Sequence, residues 1–135
     1  MAKKVFVSYD HSEDVHYKDL LRAWDANTDF DFEFDLRSPN VAIDSVDASV
    51  IQAALTKKMK ESDYILVIIG EKSHSSKWMK WEISRAQQLD TKLKFAAVKI
   101  SGTNNLPVGL PNYTAIANGF TLNGIEEVLK KAKNN

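Results

Sequence analysis

Apolar and polar positions along the chain alternate between two periods. The run Lys4 to Tyr9 (KVFVSY) is short, β-branched and aromatic, and predicts a first strand. Tyr17, Leu20, Leu21 and Trp24 recur at i, i+3, i+4 and i+7, the stripe of an amphipathic helix. Ser12 stands where a cap is needed, with Glu13 and Asp14 in the first turn. Phe30 to Leu36 (FDFEFDL) alternates apolar and acidic residues, the signature of a half-exposed strand at a sheet edge. An irregular loop, Arg37 to Asp47, contains Ser38-Pro39-Asn40. Ser49 and Gln52 have capping-box spacing, and Ile51, Ala54, Leu55 and Met59 mark a second helix ending near Ser62-Asp63. Tyr64 to Ile69 (YILVII) is the most apolar run, followed by Gly70, and predicts a central strand buried on both faces. A third helix is expected from about Ser76 to Leu89, and a fourth strand from Phe95 to Ile100. A loop, Ser101 to Asn112, holds Pro107 and Pro111. A weakly marked fifth strand spans Tyr113 to Ala117, and Ile125, Val128, Leu129 and Ala132 mark a closing helix.

Strands alternating with helices imply right-handed crossovers. The expected fold is α/β: a flavodoxin-like three-layer sandwich, with a mainly parallel sheet of about five strands and helices on both faces. Such sheets bind ligands beyond the carboxyl ends of their strands. That rule brings Ser8 to His11, Leu36 to Asp44 and Gly70 to Trp81 to one rim.

Composition narrows the chemistry. With 135 residues, 44% of them hydrophobic and 27% charged, the chain suits one domain over residues 1–135. Eighteen basic residues offset eighteen acidic ones, so no net field favours a nucleic acid or an anionic membrane. With no cysteine there are no disulfides, thiolate metal sites or cysteine nucleophile. No stretch approaches the ~18 apolar residues of a membrane span, and the start lacks a signal-peptide pattern. A soluble, cytoplasmic protein is the expectation.

The densest local feature is Ser75-Ser76-Lys77-Trp78-Met79-Lys80-Trp81-Glu82. Trp78 and Glu82 are four apart and share a helix face at the ligand rim. A carboxyl beside an indole is desolvated and its pKa rises, while the indole offers a flat surface to an aromatic ring. The packing alternative makes Trp78 and Trp81 core anchors and pairs Glu82 with Lys80 or Arg85. On helix pattern alone that is the commoner case. At the end of the first strand, Ser8 and Tyr9 are placed to hydrogen-bond a ribose or phosphate, and Asp10 suits a turn.

Asp10 and Asp35 raise a second possibility, a receiver-type cluster of carboxylates around Mg²⁺. It requires an aspartate at the end of the central strand, where this chain has Val67-Ile68-Ile69-Gly70. There is no P-loop, no G-x-G-x-x-G turn and no G-x-S-x-G elbow. His11, His16 and His74 lack metal-ligand spacing, so no metal site is expected. A flavodoxin-like FMN sensor is a third possibility, without a hydroxyl-rich phosphate loop to support it.

Four segments together resemble the TIR-like domains of the ThsB group in Thoeris anti-phage defence. They are Val5-Phe6-Val7-Ser8-Tyr9, Asp35 to Asn40, Ile68-Ile69-Gly70 and Trp78-Met79-Lys80-Trp81-Glu82. The resemblance spans about residues 4–100 and rests on the order and spacing of the segments. It implies cleavage of the nicotinamide–ribose bond of NAD⁺, a substrate and not a cofactor, with Glu82 as the catalytic carboxylate. Phe6, Ser8, Tyr9, Asp35, Ser38, Trp78 and Trp81 are then substrate-facing. It implies further an ADP-ribose-derived signal, cyclic or conjugated, that reaches a separate effector by diffusion, and self-association on activation. The competing reading within the same family is a non-catalytic interaction module.

Overall fold

The computed structural model describes residues 3–10, 32–35 and 48–134. The helix expected over Ser12 to Trp24, and the loop with Ser38, lie outside them. Five strands form one sheet: β1 (Lys3–Ser8), β2 (Phe32–Asp35), β3 (Tyr64–Ile69), β4 (Lys94–Lys99) and β5 (Ala115–Asn118). The described helices are α1 (Ala48–Lys60), α2 (Lys77–Ala86) and α3 (Leu122–Lys131), and a short 3₁₀ turn covers Ser73–Ser75.

The strand order is β2-β1-β3-β4-β5 and every pairing is parallel. This is the flavodoxin-like order, in which the chain reverses its direction of winding between β1 and β3. β2 is an edge strand, as its alternating sequence predicts. β3 is buried along its whole length, which explains why it shows no polar alternation.

Strand side chains alternate between two cores. Val5, Val7, Tyr64, Leu66, Ile68, Ala96 and Val98 pack on one face against Ile125, Val128 and Leu129 of α3. Phe6, Ile65, Val67, Ile69, Phe95 and Ala97 pack on the other against Leu55 and Met59 of α1 and Met79, Ile83 and Ala86 of α2. Helices therefore cover both faces. Met59 has no exposed surface, so truncating it to alanine costs about 2–5 kcal/mol in transfer and cavity terms.

Two boundaries differ from the sequence expectation. The helix expected to start at a Ser49 cap begins one residue earlier, at Ala48, and Ala54 faces solvent. The helix expected to reach Leu89 ends at Ala86, and Leu89 is 89% exposed. The amide of Leu93 bonds the Ala86 carbonyl, and Leu93 takes the buried position that continued winding would have needed. No described helix is long and apolar enough to cross a membrane.

Candidate functional site

The site begins with the parity of β1. Phe6 faces the core beneath α1 and α2, so Ser8, two residues on, faces the same way. Ser8 ends the strand beside Val67 of β3, at the crevice where the winding reverses. Its side chain is completely buried.

Glu82 arrives from the next crossover. β3 ends at Ile69, and the buried Ser73 closes the turn that follows. The Ser73 hydroxyl accepts from the Gly70 amide at 2.8 Å and donates to the Ile68 carbonyl at 3.1 Å. Ser76 then caps α2, accepting from the Met79 amide at 3.3 Å. Met79, Glu82, Ile83 and Ala86 form the buried stripe of α2. Glu82 thus stands in the middle of an apolar face and is only 2% exposed.

There the Ser8 hydroxyl donates to Oε1 of Glu82 at 2.7 Å. Burial pushes the Glu82 carboxyl from an ordinary 4.5 up to about 8, and the Ser8 hydrogen bond pulls the other way. Among the described residues no lysine or arginine neutralises it. Lys80 is on the exposed side of α2, and Arg85 is committed to Asp90 through two hydrogen bonds of 2.7 Å. The pairing of Glu82 with Lys80 or Arg85 expected on packing grounds does not occur.

Among the other residues singled out from sequence, Phe6 lies in the same core as Met79 and Ile83, fully buried beneath the site. Trp78 and Trp81 are half-buried against that core and meet edge-to-face, their ring centroids 5.8 Å apart. Tyr9 does not join them. It is 3% exposed and packs in the opposite core, with Val5 and Val7, because odd positions of β1 face α3. Asp35 ends β2 with its Cα in register with Phe6, at the same edge of the sheet. Ser38 is outside the described residues.

Ser73 carries a role that local sequence does not reveal. A serine three residues after a glycine is common, and nothing in the pattern marks it as buried. Two recesses among the described residues lie away from Glu82. One, of about 440 Å³, is at the amino ends of the strands beside Lys3, Tyr64, Lys92 and Lys94. The other, about 430 Å³, lies between β5 and α3. No group of three or more potential metal ligands occurs among the described residues.

No curated protein matches the chain. Among solved structures, one titled "Crystal Structure of a prokaryotic SEFIR domain" is similar at 17% identity and a TM-score of 0.49, covering 96% of this chain and 95% of that one. The family described as "Thoeris protein ThsB, TIR-like domain" matches residues 6–105, a span that holds Ser8, Ser73, Trp78 and Glu82. The chain belongs to that ThsB TIR-like family.

Proposed function

We propose that this protein cleaves the bond between nicotinamide and ribose in NAD⁺, with Glu82 as the catalytic carboxylate. The observation that carries the reading is a carboxyl buried in an apolar helix stripe at the β1–β3 crevice, hydrogen-bonded to Ser8 and paired with no cation among the described residues. Structural carboxyls seldom take such positions, whereas sites that need a shifted pKa do. Membership of the ThsB TIR-like family supports it.

The chemistry suits these groups. The C–N bond breaks with its electron pair going to the nicotinamide nitrogen, so the leaving group departs neutral and needs no strong acid. Positive charge develops on the ribose, as in glycoside cleavage. A carboxylate beside the ribose stabilises that charge and accepts hydrogen bonds from its hydroxyls. The resting carboxyl, with a pKa of about 8, is only about a tenth ionised at pH 7. The positive nicotinamide ring of the substrate lowers that pKa as it binds, since a nearby opposite charge favours the carboxylate. Trp78 walls the nicotinamide end, and Phe6 forms the floor below. Asp35, Ser38 and Trp81 are the further substrate-facing candidates. Water taking the ribose carbon gives ADP-ribose and a proton. Another nucleophile there gives the cyclic or conjugated signal that would reach a separate effector, with assembly of several copies as the activating step.

The test is nicotinamide release from NAD⁺ by wild type and Glu82→Gln, followed by mass spectrometry of lysates from phage-infected cells. Loss of turnover by about 100-fold or more is expected in the folded variant, the order seen when a transition-state stabiliser is removed. Equal turnover would remove Glu82 from the chemistry.

One observation favours the second reading, a non-catalytic interaction module. Trp78 and Trp81 pack on each other and on the core, as structural anchors do. That reading is upheld if no NAD⁺ is consumed in infected cells while the protein still assembles with a partner.

A further inference from the structure

Ser8 is fully buried, and its one side-chain hydrogen bond goes to Oε1 of Glu82. Among the described residues Glu82 has no other polar partner, so Oε2 accepts no hydrogen bond from any of them. A buried oxygen left in this state is costly, and native proteins keep few of them. The described elements on this face present uncharged side chains: Phe6 and Ser8 from β1, Val67 and Ile69 from β3, Leu55 and Met59 from α1. On α2 itself Lys80 is exposed and Arg85 is held by Asp90.

We propose that Ser8 is a positioning residue for Glu82 and not a ligand of the substrate: it anchors Oε1 from the end of β1 and leaves Oε2 as the oxygen that meets the ligand. With its proton given to Glu82 the hydroxyl has no donor left for a phosphate, and with no exposed surface its lone pairs are turned away from a ribose. A carboxylate oxygen takes donors, so the group it meets is a hydroxyl or a cation. A phosphate, an acceptor of like charge, belongs elsewhere in the cleft. Removing the hydroxyl frees the carboxyl to change rotamer and takes away the hydrogen bond that favours its ionised form.

The experiment compares wild type, Ser8→Ala and Ser8→Cys, the last an isosteric and weaker donor. The ionisation of Glu82 is read directly, without NAD⁺, from the infrared carboxyl bands of ¹³C-Glu-labelled protein after subtraction of Glu82→Gln. The midpoint is expected to rise by about one pH unit in Ser8→Ala and by less in Ser8→Cys, an order set by the loss of one hydrogen bond to a charged group. An unmoved midpoint in either folded variant overturns the positioning role. The kinetic arm rests on the proposed NAD⁺ cleavage. There kcat/KM at pH 7, which follows the ionisation of the free enzyme, should fall about tenfold and recover at higher pH. A raised KM with an unchanged kcat and midpoint would make Ser8 a substrate ligand. If the midpoint moves and no variant, nor wild type, turns over NAD⁺, the positioning role stands and the proposed activity falls.

Discussion

The hydroxyl of Ser8 and a carboxyl oxygen of Glu82 lie 2.7 Å apart although 74 residues separate them in the chain. The contact joins the end of β1 to the middle of α2 across the crevice where the sheet reverses its winding. One polar pair thus sits inside a core otherwise built of Phe6, Val67, Met79 and Ile83. A protein selected for stability alone would place an apolar residue at 82, since a buried carboxyl supported by one neutral donor is a net cost.

That cost has a pH signature. Glu82 releases its proton near 4.5 in the unfolded chain and near 8 in the folded one. Its contribution to stability is fully present below about 4.5. Between the two values the unfolded state binds fewer protons, so stability falls as pH rises, by up to ~1.36 kcal/mol per unit, and levels off above about 8. The lowered carboxyls of Asp90 and Glu127 act at more acid pH than this window. Denaturant unfolding of wild type from pH 5 to 9 should show the decline, and Glu82→Gln should lack it. Parallel curves for the two proteins would mean that the carboxyl is not held neutral.

Binding of a cationic substrate should expel the same proton. A carbocyclic NAD⁺ analogue, whose nicotinamide linkage resists cleavage, keeps the ring charge. Calorimetry at pH 7 in buffers of different ionisation enthalpy should report release of most of one proton per analogue bound, because about nine-tenths of Glu82 starts protonated. Glu82→Gln should release none. Buffer-independent heats in wild type would separate ligand binding from Glu82.

Ser73 sets the turn that leads into α2. Its hydroxyl satisfies the Gly70 amide and the Ile68 carbonyl, both buried at the end of β3. Ser73→Ala strands the two groups and should cost about 1–3 kcal/mol. By chemical denaturation the midpoint should fall accordingly, with reduced nicotinamide release as α2 shifts. A variant as stable as wild type would show that the turn is held by other contacts.

Arg85 tests the converse. Its pair with Asp90 is on the surface, with Asp90 46% exposed, and Lys60 joins the same carboxylate at 3.4 Å. Arg85→Ala should lose no more than about 1 kcal/mol, less in high salt, and leave the Glu82 titration where it is. A midpoint displaced by this change would reinstate the arginine as the partner of Glu82.

Much of the architecture could be read from residue order. Alternating or continuous apolar runs bounded by turn residues mark the five described strands, and apolar positions at helical spacing mark the described helices. The parallel crossovers then dictate that β1 and β3 end at a common rim. Glu82 was legible as a candidate because it stands one turn after Trp78, but its local neighbours Lys80 and Arg85 pointed equally to a surface ion pair.

Spacing along the chain says which residues share a helix face; it does not say what that face meets. That Glu82 looks inward at Ser8, that Tyr9 turns to the opposite core, and that Arg85 is taken by Asp90 all follow from how β1, β3 and α2 pack. A carboxyl's pKa is set by the water excluded around it and the donor beside it. Both are supplied by segments far away in sequence, so the chemistry of residue 82 exists only in the folded chain.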